Sequence, residues 1–129
     1  MQVAYQTDIG RQRSQNQDRV AQYIDKRGNH LVVIADGIGG NLSGDVAAEM
    51  TIKRLGHRFK VDSPADPLEA IRWFAREVQI INDQILKKSK EKIMYHGMGT
   101  TMVAAIIFKR RSWSLTSVTA GVICCTAVQ

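Results

Sequence analysis

The stretch from Leu31 to Asp45 constrains the fold more than any other. The apolar run Leu31-Val32-Val33-Ile34-Ala35 stops on one acid, Asp36, and four glycines follow within eight residues: Gly37, Gly39, Gly40 and Gly44. A short, β-branched run bounded by glycine predicts a strand buried on both faces that delivers a carboxylate to one edge of a sheet. The glycines let the backbone take crowded conformations, so peptide groups can approach an ion that a side chain would exclude. Such a turn suits a metal or an anion. It equally suits a plain strand-to-helix connection in which Asp36 caps the turn. Leu42 stands where a dinucleotide fingerprint needs its third glycine, and no Gly-Lys-Ser/Thr follows, so neither common nucleotide signature is met.

The rest of the chain supplies the frame. Val3 to Ile9 alternates apolar and polar residues and reads as a first strand, followed by a polar loop from Arg11 to Asp18. Val20 to Ile24 reads as a second strand, Lys26 to Asn29 as a hairpin turn and His30 to Ala35 as a third strand. A helix is expected from about Asp45 to Phe59, with Ala48, Ile52, Leu55 and Phe59 on its apolar face. A second helix starts with Asp66 as N-cap, Pro67 at the first helical position and Glu69 at the capping-box position. Its expected apolar stripe is Leu68, Ile71, Ala75, Val78, Ile81 and Ile85, while Trp73, Phe74 and His57 read as packing or surface residues. Gly97 to Thr101 reads as a turn into a fourth strand, Met102 to Phe108. Strands, then two consecutive helices, then a strand do not make a doubly wound parallel sheet, so a layered α+β architecture is expected.

Asp18 and Asp36 at neighbouring strand ends, with a glycine carbonyl beside them, would make hard oxygen ligands for Mg²⁺ or Mn²⁺. Arg13 could hold a phosphate bidentately. The alternative is a solvated surface ion pair between Arg13 and Asp18.

The length of 129 residues bounds the chain to one domain or part of one. A net charge of +6 invites a nucleic-acid partner, but no acid follows Glu91, and Lys92, Lys109, Arg110 and Arg111 hold four of the surplus charges. The remainder is nearly balanced and carries no basic stripe with interleaved aromatics, so neither a nucleic-acid nor a membrane partner is expected. With no apolar span and no signal peptide, the expected location is cytoplasmic. The adjacent Cys124 and Cys125 support neither a disulfide nor a metal knuckle.

Three motifs in this order carry a family resemblance: Thr7 to Arg11 through Arg13 to Asn16-Gln17-Asp18, then Ala35 to Gly40, then Gly97-Met98-Gly99-Thr100-Thr101. Together they resemble the metal-dependent protein Ser/Thr phosphatases of the type 2C or PPM family in its bacterial form. The resemblance implies the N-terminal half of a four-layer α-β-β-α sandwich. It implies a dinuclear Mn²⁺ or Mg²⁺ centre in which Asp36 bridges both ions, Asp18 and the Gly37 carbonyl complete one of them, and Arg13 binds the substrate phosphate. The implied reaction is hydrolysis of phosphoserine and phosphothreonine in proteins phosphorylated by a Ser/Thr kinase. Asn41 departs from the family, where bacterial relatives often carry histidine.

The resemblance covers residues 4–108, so 1–108 reads as the N-terminal part of such a domain and 109–129 as an aberrant tail. The family's next strand ends in a VGDSR-like motif that the tail lacks. Regrouping each codon as its third base plus the first two bases of the next allows synonymous codons to spell VVANVGDSRGYLL. A one-base frame change near Lys109 to Arg111 would produce this tail and leave the ion shell incomplete, with little or no activity. The alternative role is a noncatalytic half-domain that binds a phosphate or a partner. The gene tests the frame change: the codons from Leu115 to Cys125, shifted by one base, are expected to spell that motif, and codons that cannot be so regrouped would refute it.

Overall fold

The structure is a computed structural model and describes residues 18–38, 43–109 and 118–127. The expected strand at Val3 to Ile9, the loop carrying Arg13, and Asn41 lie outside the described residues. Within them the order is β1 (Asp18–Ile24), β2 (His30–Ile38), α1 (Ser43–Val61), α2 (Pro67–Ser89), a short 3₁₀ turn (Ile93–Tyr95), β3 (Gly99–Lys109) and β4 (Val118–Ala127). The strands form one sheet in the order β1-β2-β3-β4, every pair antiparallel. Both helices are therefore inserted between two strands that are neighbours in the sheet, the α+β arrangement expected.

Alternation along β2 sets the layers. Leu31, Val33, Ala35 and Gly37 are buried under the helices, whereas Ile34 and Ile38 on the other face are exposed, as is Val103 beside Ile34 on β3. The expectation of a strand buried on both faces is thus corrected. The described chain covers the sheet with helices on one side, and a period of two then leaves every second residue half-buried or exposed.

Helix α1 buries the predicted Ala48, Ile52, Leu55 and Phe59, together with Ala47, Thr51 and Gly56. Gly56 is fixed by packing: a Cβ there would stand 2.2 Å from the Tyr23 ring of β1. Helix α2 begins as predicted, with the Asp66 carboxylate accepting the Glu69 N–H at 2.8 Å. Its buried face is as expected at Ile81 and Ile85 and differs in the first half of the helix. Ala70, Trp73, Phe74, Glu77, Ile81 and Ile85 point inward, while Ala75 is exposed and Leu68 and Ile71 are 70% and 60% exposed. Two features turn the helix. Trp73 stacks edgewise between Phe59 and Phe74 at 6.0 and 5.2 Å, burying more area than the displaced aliphatics could. Glu77, only 1% exposed, meets Arg54 at 3.0 Å and Arg58 at 3.4 Å on α1, so a carboxylate occupies the interhelical seam with its cations. The segment Gly99 to Thr101, read as a turn, is the start of β3.

At the far end of the sheet from Asp36, the β1–β2 turn is closed by Asp25. Its carboxylate accepts the N–H groups of Arg27 and Asn29 at 2.9 and 2.8 Å, the Asn29 side-chain amide at 3.0 Å and the Ser63 hydroxyl at 2.7 Å. The Asn29 side-chain carbonyl in turn accepts the Lys109 N–H of β3 at 2.9 Å. Gly28 takes φ +83° to let the turn close. One buried acid therefore joins the hairpin to the α1–α2 connection. Asp25→Ala strips these donors of their acceptor, and a loss of about 2–3 kcal/mol is expected in urea denaturation. Asp83→Ala, at an exposed position of α2, is expected to change stability by less than about 0.5 kcal/mol.

Candidate metal centre

Strand β2 ends and β3 begins at the same edge of the sheet, and the ladder sets the site residues in a row. Asp36 is opposite Asp18 on β1 and Thr101 on β3, and Gly37 is opposite Thr100. Opposed positions in an antiparallel pair lie about 4.5–5.5 Å apart at Cα. Of the expected site residues, positions 18, 36 and 37 thus come together at one edge, while Arg13 lies outside the described residues.

The end of β2 is held from two sides. The Thr100 and Thr101 hydroxyls reach the Asp36 carbonyl at 3.1 and 3.4 Å, and the Thr100 hydroxyl also lies 2.8 Å from the Thr101 carbonyl. From the helix layer, the first turn of α1 lies against Gly37. A Cβ at position 37 would stand 2.2 Å from the Gly44 carbonyl oxygen and 2.9 Å from its Cα. The glycine is therefore demanded by contact with another backbone. Next to position 18, the Arg19 guanidinium pairs with the Asp45 carboxylate in the first turn of α1. An acid there is also favoured by the helix N-terminus. One turn on, Lys53 bonds Glu49 at 2.7 Å and holds its carboxyl below the usual range, with a smaller contribution from Arg19.

The Arg19–Asp45 pair and the two threonine hydroxyls were not found by sequence reasoning. The available signals were an acid in a helix first turn and a Thr-Thr pair entering a strand. The expected donors, the Asp18 and Asp36 carboxylates and the Gly37 carbonyl, would all be hard oxygens, the kind that Mg²⁺ or Mn²⁺ takes. Among the described residues no group of three or more His, Cys, Asp or Glu side chains converges. Two acids and one carbonyl would supply only part of a hard-cation shell.

Comparison with known proteins gives a consistent relationship. Residues 7–129 match the family model described as Protein phosphatase 2C. The chain is 38% identical over 109 residues to "Protein phosphatase PhpP" of Streptococcus pneumoniae, covering 83% of this chain and 44% of that protein. It is 37% identical over 110 residues to "Serine/threonine phosphatase stp" of Listeria welshimeri, covering 84% and 44%. Among solved structures, the serine/threonine phosphatase of S. agalactiae superposes with a TM-score of 0.75 at 36% identity, over 79% of this chain and 42% of that one. Phosphatase Stp1 of Staphylococcus aureus gives 0.72 at 32% identity, over 78% and 40%. The chain thus spans less than half the length of these relatives.

Two glycines at this edge separate contact from conformation. Gly37→Ala must push the α1 backbone away and is expected to cost about 1–3 kcal/mol in denaturant unfolding. Gly97, at φ +76°, faces open space where a Cβ would stand, with nothing within 4 Å, so Gly97→Ala is expected to cost only the backbone term of about 1 kcal/mol.

Proposed function

The chain belongs to the protein phosphatase 2C family, and on that premise we propose that it carries the first half of a metal-dependent centre for hydrolysing phosphoserine and phosphothreonine in proteins. The observation that carries this reading is the pairing of Asp18 with Asp36 beside Gly37 at one sheet edge. In this reading Asp18, Asp36 and the Gly37 carbonyl would hold the divalent cations, and Arg13 would bind the phosphate of the substrate. When bound, Mn²⁺ or Mg²⁺ supplies an acidified water and neutralises charge on the phosphoryl oxygens.

The chain's own residues prepare that chemistry. Thr100 and Thr101 fix the Asp36 peptide, so the carboxylate needs little reorganisation to meet a cation. The Arg19–Asp45 pair joins the start of β1 to α1, which itself lies on Gly37. Arg13 would contribute a planar, permanently charged fork suited to a phosphate. The substrates are phosphoproteins made by a Ser/Thr kinase, met in the cytoplasm. No described helix is long and apolar enough to cross a membrane.

Two carboxylates and one carbonyl shared between two ions leave most of each six-oxygen shell to water. The same proposal therefore gives this chain weak metal binding and little or no turnover, and treats 109–129 as a frame-shifted replacement of the family's next strand. Titration calorimetry with Mn²⁺ and a phosphopeptide assay test it together. Weak Mn²⁺ binding that disappears in Asp36→Ala is expected, with no phosphate release. Mn²⁺ affinity unchanged by Asp36→Ala would overturn the site, and Asp36-dependent turnover would overturn the assignment of inactivity. Phosphopeptide affinity that needs Arg13, without hydrolysis, would point to a noncatalytic binding half-domain.

A further inference from the structure

The last turn of α2 and the residues after it form a surface that the phosphatase reading does not use. Lys87, Lys88, Lys90 and Lys92 face one acid, Glu91, within six residues. The Lys88–Glu91 pair is long, at 3.8 Å, and half exposed, and the net charge of these six residues is positive. The chain then turns through Ile93 and Met94, which are 85% and 56% exposed. Tyr95 closes the group, with the Lys88 and Lys92 ammonium groups 5.7 and 5.9 Å from its ring centre. Cations surround a projecting apolar tip.

We propose that this surface docks on anionic lipid bilayers, with Ile93 and Met94 entering the headgroup layer and the lysines meeting lipid phosphates. Bulky apolar side chains at such exposure gain by leaving water, and basic residues beside them add attraction to an anionic surface. A nucleic acid offers phosphates but no apolar layer for Ile93 and Met94. A peptide seeks a concave site, and the groove bordered by Ser63, Arg72, Trp73 and Arg76 lies at the opposite end of the 23-residue α2. The patch leads through Met98 directly into the start of β3, where Thr100 and Thr101 meet Asp36. Docking would thus present the candidate metal edge near a bilayer. It revises the sequence-based expectation of no membrane partner, and it does not depend on the phosphatase reading.

Co-sedimentation of the full chain with phosphatidylcholine vesicles, with and without phosphatidylglycerol, tests the proposal. Binding is expected only to the anionic vesicles and is expected to weaken with salt. A Lys87→Glu and Lys90→Glu double variant is expected to lower partitioning at least about tenfold. An Ile93→Ser and Met94→Ser double variant, which keeps every charge, is expected to lower it several-fold while the far-UV spectrum and melting temperature stay unchanged. Equal binding to neutral vesicles, no binding to either kind, or indifference to both variants would overturn the proposal. Oligonucleotide binding that matches the anionic vesicles and ignores Ile93→Ser and Met94→Ser would overturn it in favour of a general polyanion surface.

Discussion

The arrangement depends on a contact between two backbones. The first turn of α1 lies against the Cα of Gly37, closer than any side chain would permit. That contact brings the helix layer down onto the sheet at the point where β2 ends. Tyr23 sealing against Gly56 repeats the device further along α1, so one helix is seated on the sheet at two glycines. Between them Ala47, Ala48, Ile52 and Leu55 of α1 share one buried cluster with Leu31, Val33 and Ala35 of β2. Close seating of this kind raises packing density and removes freedom from the strand end where the acids stand.

The two faces of the sheet have different fates. Under the helices the core is closed by Leu31, Phe59, Phe74, Met98 and Ile106, all essentially without exposure. The opposite face carries Asp36 among Ile34, Ile38 and Val103. An acid in an otherwise apolar row is costly to enclose, so its position at the end of β2, in the row at the strand ends, is chemically consistent. The described helices lie on one face of this sheet, and the chain spans 44% of the two named curated relatives.

Much of this was legible in the chain because it was local. The start of α2 follows from Asp66, Pro67 and Glu69, neighbours whose capping needs no tertiary context. The apolar face of α1 follows from periodicity alone. Ile81 and Ile85 of α2 followed too, but its first half did not, because Leu68, Ile71 and Ala75 make an equally regular stripe, and the choice between stripes was made by Phe59, Arg54 and Arg58 on another helix. At the candidate site, Asp36 and Gly37 stood out because an apolar run stops there. Arg19 with Asp45, and Thr101 with Asp36, did not stand out, because partners 26 and 65 residues apart become neighbours only through the sheet register.

Asp25 sets an order on assembly. Its partners lie at graded distances along the chain: Asn29 four residues away and Ser63 thirty-eight away, with Lys109 reached through Asn29 at a separation of eighty. Closing a loop costs more entropy as it lengthens, so the hairpin bonds can form first and present a finished acceptor to the segment after α1. When β3 docks, its last residue meets an Asn29 side-chain carbonyl already oriented by the earlier steps. A single carboxylate therefore acts as a template on which local and distant parts of the chain are joined in sequence.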